Sequence, residues 1–254
     1  MPRLSGRVAI VTGGARGIGR DYCKALAAEG ASVVIADIAD GRELAQEIAA
    51  TGGKNAAMAE RFDVSDEKQV GDLIARVIER FGRIDILVNN AALFAPLTHQ
   101  PIGDIDVATW DRVFAVNVRG PFLMTKHVAP HMIARRYGKI INIGSGVAYK
   151  GMPRMTHYAA SKGAIATLTR SLARELGEHN ICVNTLAPGL IMSDTLVAAA
   201  THSEALRASV VNSRAFRRDA YPADLTGALV FLASAESDFI TGQTIAVDGG
   251  SVNT

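Results

Sequence analysis

The sequence predicts an α/β fold, with a doubly wound parallel sheet of seven strands forming one domain over residues 1–254, and three observations predict it. Short apolar, β-branched runs recur at 7–12, 32–36, 57–62, 84–89, 139–144, 181–186 and 244–247. They lack a polar alternate face, as parallel strands do when helices cover both sides. Longer helical patterns separate the runs, and 48% hydrophobic residues with 24 glycines suffice for two covering layers and many tight strand-to-helix turns.

The first strand runs into Thr12-Gly13-Gly14-Ala15-Arg16-Gly17-Ile18-Gly19, after which a helical pattern continues to about Gly30. Gly13 permits a sharp turn, Gly17 lets backbone approach a pyrophosphate, and Gly19 packs helix against strand; the helix N-terminus then offers free N–H groups. The second strand closes on Asp37, eighteen residues beyond Gly19, where a carboxylate accepts hydrogen bonds from an adenosine ribose and repels a 2′-phosphate. Arg16 pulls the other way, but the position after the acid is Ile38, which cannot help. The balance favours NAD over NADP. Asp63 ends the third strand, either against the adenine edge or as an ordinary turn residue.

The helix expected over 66–81 has Ser65 as its cap, Asp66 and Glu67 in its first turn, an apolar stripe of Val70, Leu73, Ile74, Val77 and Ile78, and Gly82 as its stop. Further long helices are expected over 110–137 and 158–177. The fifth strand ends at Ser145, whose hydroxyl would emerge to hold a substrate oxygen. Tyr158-Ala-Ala-Ser-Lys162 places phenol and ammonium one turn apart on one helix face. A phenol of pKa about 10 exchanges protons poorly at neutral pH unless a cation lowers it, and Lys162 is the candidate cation. The polar, small-residue-rich stretch 190–218 reads as a lid over a pocket.

Charge and composition exclude other classes. Twenty-seven Lys and Arg are scattered among 25 Asp and Glu, for a net charge of +2, which is no nucleic-acid footprint. No run approaches 18 apolar residues and the N-terminus lacks a leader pattern, so no membrane partner and a cytoplasmic location are expected. Cys23 and Cys182 have no metal or redox spacing and read as reduced core thiols. His127 and His131 stand four apart, but Pro130 lies between them; no metal site is expected.

TGGARGIG at 12–19, Asp63-Val64, NNAA at 89–92, Asn117 within VNVRG, Ser145, YAASK at 158–162, Pro188-Gly189 and GQTIAVDGG at 242–250 share the spacing of one family. From Gly6 to Gly250 the chain resembles the single-domain short-chain dehydrogenase/reductases. The resemblance implies a Rossmann-type sheet of order 3-2-1-4-5-6-7 and hydride transfer between a nicotinamide dinucleotide and a carbinol or carbonyl carbon. It further implies that Ser145 polarises the substrate oxygen, Tyr158 exchanges its proton, Lys162 lowers the tyrosine pKa while holding the ribose, and Asn117 anchors a relay water. Ile18, Val64, Asn90 and Ala91 would line the cofactor crevice beside Pro188 and Gly189, with Ile191 and Ser193 at the carboxamide. Ala92 departs from the family's usual glycine, and Ser193 from its usual threonine.

Pocket candidates are the apolar Leu93, Phe94, Val147, Met152, Leu190, Met192 and Leu196, with Tyr149 and His157 for polar contacts. They suit a secondary alcohol or ketone, aryl substitution included. Alternatives are a 3-oxoacyl-(acyl-carrier-protein) reductase-like enzyme, against which Asp37 argues because those enzymes usually need NADP, a pyridoxal- or sugar-type dehydrogenase, and a silent dinucleotide-binding scaffold, which would not require Asn117, Ser145, Tyr158 and Lys162 together. By analogy alone, the terminal VDGGSV and the two long helices suggest a homotetramer.

Overall fold

A computed structural model describes residues 2–52, 56–199 and 203–252. Its centre is an all-parallel sheet of seven strands ordered 3-2-1-4-5-6-7, the predicted order. The strands are β1 (Val8–Thr12), β2 (Ser32–Asp37), β3 (Ala57–Arg61), β4 (Ile86–Asn89), β5 (Gly138–Ile143), β6 (Ile181–Pro188) and β7 (Thr244–Val247).

Every residue of β1, β4, β5 and β6 is buried, whereas the edge strand β7 is half-buried throughout. Alternation along β1 shows why no polar face exists. Ala9 and Val11 pack with Val33 and Ile35 into one cluster, under Tyr22 and Leu26 of α1 (Gly17–Ala28) and Leu225 and Leu229 of α10 (Ala223–Ala233). Val8 and Ile10 pack with Val34 and Ala36 into the other, under Leu73 and Val77 of α3 (Glu67–Phe81), Met124 and Val128 of α5 (Gly120–Arg135) and Leu176 of α7 (Thr156–Leu176). Each residue of the central strands therefore meets a helix whichever way it points, and burial favours apolar side chains there.

Two expectations need correction. The cap of α3 is Asp66, which accepts from Gln69 N at 3.1 Å; Ser65 instead turns its N–H and hydroxyl onto Asp63 Oδ1, at 2.8 and 2.7 Å. Gly82 does end the helix, at φ 70°, as a left-handed cap. The predicted single helix over 110–137 is divided into α4 (Val107–Phe114), a π-helical turn at Ala115–Arg119, and α5. The wider turn shifts the side-chain register and carries Asn117 at its centre.

Strand order reverses between β1 and β4, so the loops leaving their carboxyl ends diverge and leave a crevice. Among the described residues no helix is long and apolar enough to cross a membrane, and both cysteines are buried free thiols.

Candidate active site

A cavity of about 1060 Å³ opens at the carboxyl ends of the strands. One end is the glycine turn. Gly13 has φ +64°, and a Cβ there would stand 2.9 Å from Ala91 Cα; Gly17 has φ +55°, and a Cβ there would meet Thr195 Oγ1 at 2.6 Å. A Cβ at Gly19 would collide with the Gly13 carbonyl oxygen. The turn thus has space for backbone only, and α1 starts from Arg16 with no side-chain cap and no acid in its first turn. Its open N–H groups and positive dipole end suit a diphosphate.

Asp37 is 5% exposed at the tip of β2 and also lines the cavity. Its Oδ2 accepts from Ala15 N and its Oδ1 from Ala39 N, both at 3.0 Å, which fixes the carboxylate and leaves lone pairs for a ribose. Beside it Arg16 is exposed and Ile38 is 53% exposed. Asp63 holds Ser65 in a turn and also lines the cavity. Asn90 donates through Nδ2 to the carbonyls of Thr12 and Gly13, both at 3.0 Å, bracing the glycine turn against β4. Ala92 lies outside the positive-φ residues, so its methyl fits the turn without strain.

At the other end stand Ser145, Tyr158 and Lys162, each at least nine-tenths buried and all on the cavity wall. The Tyr158 ring packs on Phe94 with centroids 4.7 Å apart, and Leu97, Val113 and Met155 complete its apolar seat. Burial pushes its phenol up to about 12, against a weaker downward pull from its hydrogen bond with Ser145. Burial also pushes Lys162 down to about 8. Its Nζ donates to Ile143 O at 2.7 Å and lies 5.7 Å from the Tyr158 ring centre. Without dinucleotide, desolvation is the larger influence on the phenol.

Every other predicted cofactor residue, namely Ile18, Val64, Ala91, Pro188, Gly189, Ile191 and Ser193, lines the same cavity, as do Leu93, Phe94, Val147, Met152, Leu190 and Leu196. Four candidates do not. Asn117 turns inward, accepting from Leu93 N at 2.7 Å and donating to Leu93 O and Ser161 Oγ. Tyr149 points to β7 and donates to Thr244 Oγ1. His157 is wholly buried, with Nδ1 accepting from Tyr158 N, and half-buried Met192 bonds through its N–H to Ala220 O. Conversely, Arg112, Lys150, Thr195, Ser213 and Asp248 line the cavity and were not singled out. Thr195, two residues past Ser193, was within reach of the motif; Asp248 arrives only because β7 lies beside β6. Among the described residues no group of three or more His, Cys, Asp or Glu could hold a metal, and His127 lies 3.4 Å from Glu67 instead.

The family model described as enoyl-(acyl carrier protein) reductase matches residues 13–252. The chain is 45% identical to the galactitol 2-dehydrogenase of Agrobacterium fabrum over 258 aligned residues, covering 98% of both chains. The chain belongs to the short-chain dehydrogenase/reductases. This short-chain dehydrogenase is also 42% identical to the sorbitol dehydrogenase of Cereibacter sphaeroides, again over 98% of each chain. In three dimensions it is similar to an Agrobacterium tumefaciens protein assigned provisionally as a gluconate dehydrogenase, with a TM-score of 0.92, 35% identity and 99% and 98% of the two chains covered. As a family member it is an oxidoreductase acting on CH–OH groups with a nicotinamide dinucleotide.

Proposed function

We propose that this short-chain dehydrogenase interconverts a small polyhydroxylated secondary alcohol and its ketone, prefers NAD, and uses Tyr158 as its acid/base. The observation that carries the reading is the convergence of Ser145, Tyr158 and Lys162 on one cavity with the glycine turn and Asp37. The dinucleotide, when bound, supplies the hydride acceptor for alcohol oxidation. Gly13, Gly17 and the start of α1 would hold its diphosphate, Asp37 its adenosine ribose, and Ile191 with Ser193 its carboxamide. Ser145 holds the substrate oxygen, and Tyr158 takes the hydroxyl proton in oxidation or gives one in reduction. The phenol, pushed up by burial, starts as the proton donor. To act as base it needs added positive charge nearby, which Lys162, and an oxidised nicotinamide when bound, would supply.

Polyols are favoured over aryl alcohols because the cavity wall is not wholly apolar. Lys150 and Ser213 both bond to Ser251, at 2.7 and 2.9 Å, and Ser251 N donates to Asp248 Oδ1 at 3.0 Å, so Lys150, Ser213 and Asp248 give a polar network to a cavity also lined by the apolar Leu93, Phe94 and Met152. The relatives named for galactitol and sorbitol support the same choice. Residues of α8 (Asp194–Ala199) and α9 (Glu204–Asn212), within the 190–218 stretch, line the cavity and would act as its lid. Dinucleotide reduction measured with linear polyols and aryl carbinols, with NAD and NADP in parallel, tests this. The highest kcat/KM should fall on a polyol with NAD, and a panel led by aryl alcohols would reject the substrate class.

A further inference from the structure

The start of α7 contains a feature the reaction scheme leaves unused. The first intrahelical bond runs from Ala159 N to Met155 O, so the N–H groups of Thr156, His157 and Tyr158 have no acceptor within the helix. Met155, at the cap position, offers no side-chain acceptor either. For Tyr158 the acceptor is its own neighbour: its N–H donates to His157 Nδ1 at 2.9 Å, and the His157 ring is 0% exposed. On the other side of Tyr158, Ser161 Oγ donates to the Tyr158 carbonyl at 2.7 Å, and Asn117 Nδ2 holds Ser161 at 3.1 Å.

We propose that His157 is a positioning residue which, by accepting the Tyr158 N–H, fixes the backbone on one side of that residue while Ser161 and Asn117 fix it on the other. This rests on the reading of Tyr158 as acid/base. Clamping both peptide groups limits how the ring can pivot, and proton transfer is sensitive to displacement because an ångström of misplacement costs about a hundredfold in rate. Burial makes the clamp rigid, since water cannot replace the imidazole as acceptor. The role also fixes the ring's chemistry. Nδ1 must be bare, so the proton sits on Nε2, which is buried without a partner among the described residues.

Three side chains at position 157 separate this role from simple packing. His157→Leu keeps an apolar filling without an acceptor, while His157→Asn offers an amide oxygen near the place of Nδ1. The leucine variant should lose about ten- to a hundredfold in kcat, with KM and dinucleotide affinity held within about threefold, and the asparagine variant should recover most of the loss. Equal kcat in the two variants, or a wild-type kcat in the leucine variant, overturns the proposal. In the wild-type enzyme, nitrogen NMR of the His157 ring should find Nδ1 bare and the proton on Nε2; a proton on Nδ1 overturns it even where no variant folds. Tyr158→Phe separates the two claims: if it keeps its turnover, the acid/base reading falls, whereas if it is inactive and His157→Leu is not impaired, only the positioning role falls.

Discussion

At the residue scale the balance that matters is between desolvation and charge. Lys162 is 4% exposed and carries a nitrogen that burial pushes down to about 8 from an ordinary 10.5. Because the folded chain releases this proton earlier than the unfolded chain, the unfolded state binds more protons between pH 8 and 10.5. Stability contributed at this site therefore rises with pH across that window, by about 3 kcal/mol in all. Denaturant titrations of wild type and Lys162→Met across that window should differ in slope, the wild type gaining relative to the variant as pH rises. Asp37 makes a second prediction. Its fixed carboxylate would repel a 2′-phosphate, so Asp37→Ser should shift the ratio of kcat/KM for NAD over NADP by at least about tenfold towards NADP. An unchanged ratio would separate Asp37 from cofactor choice.

At the element scale, what could be read in advance depended on whether the signal was local. The central strands were legible because each is buried on both faces, a condition written directly into its own residues. The division between α4 and α5 was not, since a π turn changes a backbone hydrogen-bond pattern without changing the apolar period on either side. Side-chain direction is equally hidden: Tyr149 and His157 lie beside cavity residues in sequence, but their side chains leave toward Thr244 and the α7 backbone. Local signals do allow element-scale tests. Asp66→Ala removes the N-cap of α3, far from the chemistry, and should lower Tm by roughly 2–4 °C with kcat unchanged. Gly17→Ala introduces a Cβ at φ +55° against Thr195, and should weaken dinucleotide binding by about tenfold or more in a titration.

At the scale of the whole molecule, strand order decides which residues meet. The reversal between β1 and β4 brings Gly13, Asp37 and Asn90 to one crevice, and β5 and β6 add Ser145 and Pro188 to the same edge of the sheet. These residues were legible because each ends a strand or opens a helix, positions where a doubly wound sheet places its ligand. Lys150, Ser213 and Asp248 were not, because they converge through the β6–β7 pairing and the 190–218 region, which no single motif encodes. Asn117 was found by resemblance, but its amide is engaged with Leu93 and Ser161, which makes it a brace between the cavity wall and α7.

The central claim is that the Tyr158 hydroxyl exchanges the substrate's proton, and Tyr158→Phe tests it most directly because it removes one oxygen from an apolar seat and little else. With kcat and dinucleotide affinity measured on the same preparation, the account predicts a fall in kcat of about 10²- to 10⁴-fold with affinity unchanged. A variant that binds dinucleotide normally and turns over within about threefold of wild type would contradict it.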